Sequence, residues 1–163
     1  MHRLPNGRHV AGDQIGGARV GGGQLGSTPF RGFAGLFAKP EDFDITSERV
    51  TFAGFTPLDE LLQDIDVVLT HGGAGTTLGS LAAGIPLVVV PQGADQFIQA
   101  DRVSAAGAGL AVTSPDPGSV ADAVRSVLDD PSFRENARKV GAQIAALTSP
   151  ADVASQLAAA LED

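Results

Sequence analysis

Two short stretches concentrate the residues that could do chemistry. The first reads His71-Gly72-Gly73-Ala74-Gly75-Thr76-Thr77. Glycines at these positions let a backbone turn tightly and approach a ligand with no Cβ in the way. If a helix begins within the stretch, its unsatisfied N–H groups and the positive end of its dipole face the same space. His71 can donate a hydrogen bond to a phosphoryl oxygen, and Thr76 and Thr77 add hydroxyls. His71, Gly72, Gly73, Gly75 and Thr76 thus form a candidate anion site suited to the diphosphate of a nucleotide. A purely structural turn would use the same glycines. The spacing is not G-x-G-x-x-G and no Gly-Lys-Ser/Thr follows, which disfavours dinucleotide binding and nucleoside triphosphate hydrolysis.

The second stretch reads Pro91-Gln92-Gly93-Ala94-Asp95-Gln96. Asp95 accepts hydrogen bonds, while Gln96 both donates and accepts, a combination that suits two adjacent sugar hydroxyls. An Asp in this position can equally cap a helix that starts at Gln96. Cysteine is absent, so neither a disulfide framework nor a thiolate metal site is available.

The elements that must position these stretches follow from hydrophobic pattern and punctuation. Arg49 to Phe52 is a short strand candidate, and Leu58 to Leu62 a short helix. Ile65 to Thr70 is β-branched and uncharged after Asp66, as a strand buried on both faces requires. Thr76 to Ala83 reads as helix, stopped by Gly84. Leu87 to Val90 is a second buried strand, Gln96 to Ala106 a helix, and Leu110 to Val112 a third strand. Ser119 or Asp116 can cap a helix from Val120 to Leu128. Asp130-Pro131-Ser132 opens another that runs to about Leu147, and Ala151 to Leu161 is the last. Strands alternating with helices in this rhythm predict an α/β fold with a doubly wound parallel sheet. Residues 1–46 are crowded with glycine and show no sustained period, so we expect them to be irregular or disordered. The folded domain is expected over 47–163. His2 and His9 lie in the glycine-rich part with no predicted strand leading to them, and neither is assigned a role.

The length of 163 residues suits one domain of ordinary size, and 43% hydrophobic residues permit a core. A net charge of -8 gives no general electrostatic reason to seek nucleic acid or an anionic membrane. No apolar run is long enough to span a bilayer and no secretory segment opens the chain, so a cytoplasmic location is the expectation.

Taken in order, His71-Gly72-Gly73-Ala74-Gly75-Thr76-Thr77-Leu78, then Ala82-Ala83-Gly84-Ile85-Pro86, then Pro91-Gln92 and Asp95-Gln96 resemble the donor-site signature of GT-B glycosyltransferases. The nearest branch is the UDP-glucuronosyl/glucosyltransferase superfamily, particularly the actinobacterial antibiotic and macrolide glycosyltransferases. Gly54-Phe55-Thr56-Pro57 followed by Leu61-Leu62 resembles the nucleobase-binding loop of that family. The resemblance covers about Ser47 to the C-terminus and implies the Rossmann-like C-terminal half of a GT-B fold. It implies that His71, Gly73 and the Gly75–Thr76 backbone hold the diphosphate, that Asp95 and Gln96 hold the donor sugar, and that Phe55 and Thr56 lie at the nucleobase. It implies no metal and no cofactor; the substrate would be a dTDP- or UDP-linked sugar. The implied function is the C-terminal domain of an inverting hexosyltransferase acting on a hydroxyl of a small acceptor such as a natural product. A donor-binding subunit of a two-chain enzyme and a non-catalytic nucleotide-binding scaffold are the alternatives.

Three departures from the family pattern bear on this. Where many relatives carry a Glu that accepts both ribose hydroxyls, this chain has Gly79, which favours a 2′-deoxynucleotide donor. Where the nucleobase loop often has Gln after Pro, this chain has Leu58, which packs and cannot hydrogen-bond. The acceptor and the catalytic base belong in such enzymes to a separate N-terminal domain, so the catalytic residue is unassigned. The isolated chain is expected to be inactive and, with a partial sheet of three or four strands, to melt low.

Overall fold

The computed structural model describes residues 8–12, 30–34, 50–52, 56–114 and 116–161, with side chains described from 56 onward. Phe55 lies outside the described residues. In chain order the elements are β1 (Arg8–Gly12), β2 (Phe30–Ala34), β3 (Val50–Phe52), α1 (Leu58–Leu61), β4 (Val67–Thr70) and α2 (Ala74–Ala82). They continue with β5 (Leu87–Val89), α3 (Gln96–Ala105), β6 (Gly109–Ala111), α4 (Pro117–Asp129), α5 (Pro131–Ala145) and α6 (Pro150–Ala160).

The strands form one six-stranded sheet in the order β3-β2-β1-β4-β5-β6, and each neighbouring pair is parallel. The α/β class and the parallel sheet agree with the sequence pattern. The strand count does not, because β1 and β2 fall inside the segment expected to be irregular. His9, which the sequence placed outside any strand, belongs to β1. Neither Arg8–Gly12 nor Phe30–Ala34 carries a period of its own. Their strand character depends on the neighbours they pair with, β1 lying between β2 and β4.

Alternation along β4 and β5 divides the core between the two faces of the sheet. Val68, Leu87 and Val89 pack with Leu62, Ile65, Leu81, Ala100 and Val103 on one face. Val67, Leu69, Val88 and Val90 pack with Val124 and Val127 of α4 on the other. At the entry to β4, Arg134 of α5 donates to the carbonyls of Ile65 and Asp66 at 3.0 and 2.9 Å. Small residues let the layers close. A Cβ on Gly109 would lie 2.0 Å from the Leu87 carbonyl oxygen, and one on Gly141 would lie 2.7 Å from that of Leu81. Glycine at these two positions is what allows β6 to lie against β5 and α5 against α2.

The helices start where proline and their caps dictate. Asp116 accepts from the N–H groups of Gly118 and Ser119 while the Ser119 hydroxyl accepts from Asp116 N–H, so both candidate residues cooperate in one capping box. Pro117, Pro131 and Pro150 occupy the first turns of their helices, where a missing N–H costs nothing. Gly84, at φ +70°, ends α2 as predicted. Among the described residues no helix is long and apolar enough to cross a membrane.

Candidate functional site

The site begins where β4 ends. Thr70 is fully buried, and its hydroxyl accepts from the N–H of Gly72 at 3.1 Å, which pins the turn to the strand tip. Gly72 then adopts φ +96°, a conformation that L side chains resist. Space forbids a side chain there as well. A Cβ would stand 2.8 Å from Val89 Cγ1 and 3.3 Å from the carbonyl oxygen of Gln96. The first loop therefore lies directly against the second, as expected of loops that leave neighbouring parallel strands.

His71 is half-buried and its ring folds over the turn, since a Cβ on Gly73 would lie 2.8 Å from His71 Nε2. Gly73 is the N-cap of α2 and offers no side-chain acceptor to the first turn of the helix. The N-terminal end of α2, the imidazole and the glycine turn are thus brought together. Gly75 sits in that first turn, and a Cβ added to it would meet no protein atom within 4 Å. Its lack of a side chain keeps open space in front of the helix and serves no packing purpose among the described residues.

The helix starts at Ala74, two residues earlier than the sequence suggested. Gly75 and Thr76 are consequently helical. The same shift turns Thr77 into the interior, where it is 1% exposed, so it does not supply the hydroxyl expected of it. Thr76 remains half-buried at the helix start.

In the second loop, Gln96 departs from expectation. Its side-chain oxygen accepts from the N–H groups of Gln92 at 2.8 Å and Gly93 at 3.1 Å, so it closes its own loop. The carboxamide nitrogen is the part left to donate outward. Asp95 is exposed and occupies the N-cap position of α3, yet its carboxylate makes no capping hydrogen bond. Ala94, just before it, holds the left-handed φ of 52°. A non-glycine residue in that region costs about 1–2 kcal/mol. Nothing in the sequence signals this strained residue, which sets the direction from which Asp95 leaves the loop.

Thr56 is half-buried one residue before Pro57, whose carbonyl accepts from Glu60 and Leu61 N–H at 3.1 Å each. Asp64 and Asp66 stand at the opposite end of β4 from the glycine turn, with Asp66 paired to Arg134 at 3.3 Å. Among the described residues, no three His, Asp or Glu side chains are grouped to hold a metal ion.

Residues 38–160 match the family described as erythromycin biosynthesis protein CIII-like, C-terminal domain. The chain is 42% identical over 109 residues to the elloramycin glycosyltransferase ElmGT of Streptomyces olivaceus, covering 67% of this chain and 28% of that protein. It is 34% identical over 108 residues to the 3-alpha-mycarosylerythronolide B desosaminyl transferase of Saccharopolyspora erythraea, covering 65% and 26%. Among solved structures, the glycosyltransferase SsfS6 of Streptomyces sp. SF2575, complexed with thymidine diphosphate, superposes with a TM-score of 0.72 at 32% identity. That match covers 92% of this chain and 40% of the other. The chain thus spans less than half the length of the relatives it matches, and those relatives are glycosyltransferases. With three quarters of its length inside the match, this chain belongs to the family of erythromycin biosynthesis protein CIII-like C-terminal domains.

Proposed function

We propose that the chain binds a nucleotide-diphosphate sugar and presents it for inverting transfer to a hydroxyl of a small-molecule acceptor. The observation that carries this reading is the contact of the two loops at Gly72 and Gln96, beside the glycine-capped start of α2. In it, His71, Gly72, Gly73, Gly75 and Thr76 surround the diphosphate, and the dipole of α2 stabilises the charge that builds on it as it leaves. Asp95 and the carboxamide nitrogen of Gln96 hold hydroxyls of the sugar, and Thr56 with Phe55 stands at the base. No cofactor is required. An acceptor hydroxyl, deprotonated by a base, attacks the anomeric carbon from the face opposite the diphosphate, and the C–O bond to the diphosphate breaks. The acceptor and the base come from a second module, in the same polypeptide or another.

The nucleoside is a 2′-deoxy one, because Gly79 offers no carboxylate to a ribose diol; a relative seen with thymidine diphosphate accords with this. Calorimetric titration is expected to give tighter binding of dTDP than of UDP, and the reverse order would overturn the preference. Binding of neither would overturn the donor-site reading. The chain alone is expected to give no turnover with a dTDP-sugar and a hydroxylated acceptor.

A further inference from the structure

Leu58 and Gly79, which depart from the family pattern at positions 21 residues apart in the chain, meet in the fold. A Cβ built on Gly79 would stand 2.5 Å from Leu58 Cδ2 and 3.7 Å from its Cγ. A terminal methyl of Leu58 therefore occupies the space that a side chain at position 79 would take, and the leucine would have to swing aside to admit one.

This contact has leverage because α1 is so short. The helix spans Leu58–Leu61, with no fully buried residue of its own. It is held by Leu58, packed against the edge of the core, and by its C-cap Leu62, which lies within the core. A groove lined by Leu58 and Gly79 themselves, with Leu62, Ala82 and Ala83, runs between α1 and α2, and Leu58 bridges it. Leu58 in the gap at Gly79 is thus a bearing point of α1 on α2. Its position passes directly to Pro57, whose carbonyl is bound by two N–H groups of α1, and so to Thr56. Gly79 stands about 6 Å along α2 from Gly75, four residues at the helical rise, so a disturbance at 79 reaches α1 before it reaches the glycine turn. An alanine would ordinarily favour the middle of a helix over glycine, and the presence of Leu58 is a reason for glycine to stand here.

We infer that Leu58 and Gly79 form one interlocked pair that sets the position of the Thr56–Pro57 segment relative to the anion-binding turn, making Leu58 a positioning residue for the nucleoside end of the donor. The inference rests on the donor-site reading above. Pyrophosphate and dTDP separate its consequences, because pyrophosphate touches only the turn. Gly79→Ala is expected to weaken dTDP binding about tenfold, within the range of coupling between contacting side chains, and to leave pyrophosphate binding unchanged. Leu58→Ala, which removes the bearing point, is expected to do the same. Combining Leu58→Ala with Gly79→Ala refills the gap, and dTDP affinity should recover relative to either single variant. Equal dTDP affinity in all variants, parallel loss of both ligands, or strictly additive losses would each overturn the interlock. An unsubstituted chain that binds no dTDP overturns the donor reading and the interlock together, whereas one that binds dTDP and is indifferent to these changes overturns the interlock alone.

Discussion

At Gly72, two independent constraints fall on one residue. Its φ of +96° excludes an ordinary side chain, and Val89 Cγ1 stands where a Cβ would need room. Gly72→Ala therefore combines a left-handed penalty of about 1–2 kcal/mol with overpacking of about 1–3 kcal/mol. A loss of roughly 2–5 kcal/mol in urea unfolding is expected from these two terms. A loss below about 0.5 kcal/mol, the range of neutral surface substitutions, would contradict the geometry. Gly75→Ala is the natural control, since its Cβ meets no atom of the described residues within 4 Å. Residue type and spacing made the glycine turn legible, because glycines clustered after a buried strand signal a tight turn whether or not a ligand meets it. The inward turn of the Gln96 carboxamide was not legible, since a side chain that can serve a ligand can equally serve its own backbone. Nor was the burial of Thr77, which follows from a helix that starts two residues early and so rotates each later side chain about the axis.

Among the elements, helices with conventional caps were the most readable. Asp116 opens α4, and Asp130 both closes α4 and opens α5. The N–H of Ser119 above all, then its hydroxyl and the N–H of Gly118, holds the Asp116 carboxyl below its usual range. The N–H of Ser132, then its hydroxyl, does the same for Asp130. A carboxyl whose pKa is lower in the folded than in the unfolded chain stabilises the fold above its ordinary value. That contribution is lost as pH falls through the depressed one. Unfolding midpoints followed below about pH 4 should therefore drop on acidification. They should drop less steeply in Asp116→Asn with Asp130→Asn, since Asn still caps and does not titrate. Identical acid profiles would rule out a role for the caps. The strands were less even. β4 and β5 announce themselves as β-branched runs, whereas β1 and β2 become strands through pairing with distant residues, information that no local window holds.

For the molecule as a whole, the apolar surface left uncovered is uneven. Leu147, Val153, Leu157 and Leu161 are 71%, 41%, 62% and 88% exposed, and α6 has no buried residue. Val153, Leu157 and Leu161 recur every four residues along the last helix and its C-cap and share one face. The sequence predicted this helix correctly and could not reveal that it has nothing described to bury against. Exposed apolar surface of this kind promotes association. Light scattering should detect species above the monomer mass, with Leu157→Lys and Leu161→Lys reducing them; a monodisperse monomer at high concentration would contradict this. The expectation of low thermal stability rested on a sheet of three or four strands, and the six strands remove that ground. Helix α2 is pressed by Gly141 of α5 against its own carbonyls, rooted in the core through Leu81, and wedged by Leu58 at Gly79. So gripped, it has little freedom to slide or tilt, and its front end is held in place. On the proposed donor-site reading, capture needs no disorder-to-order step at the start of α2.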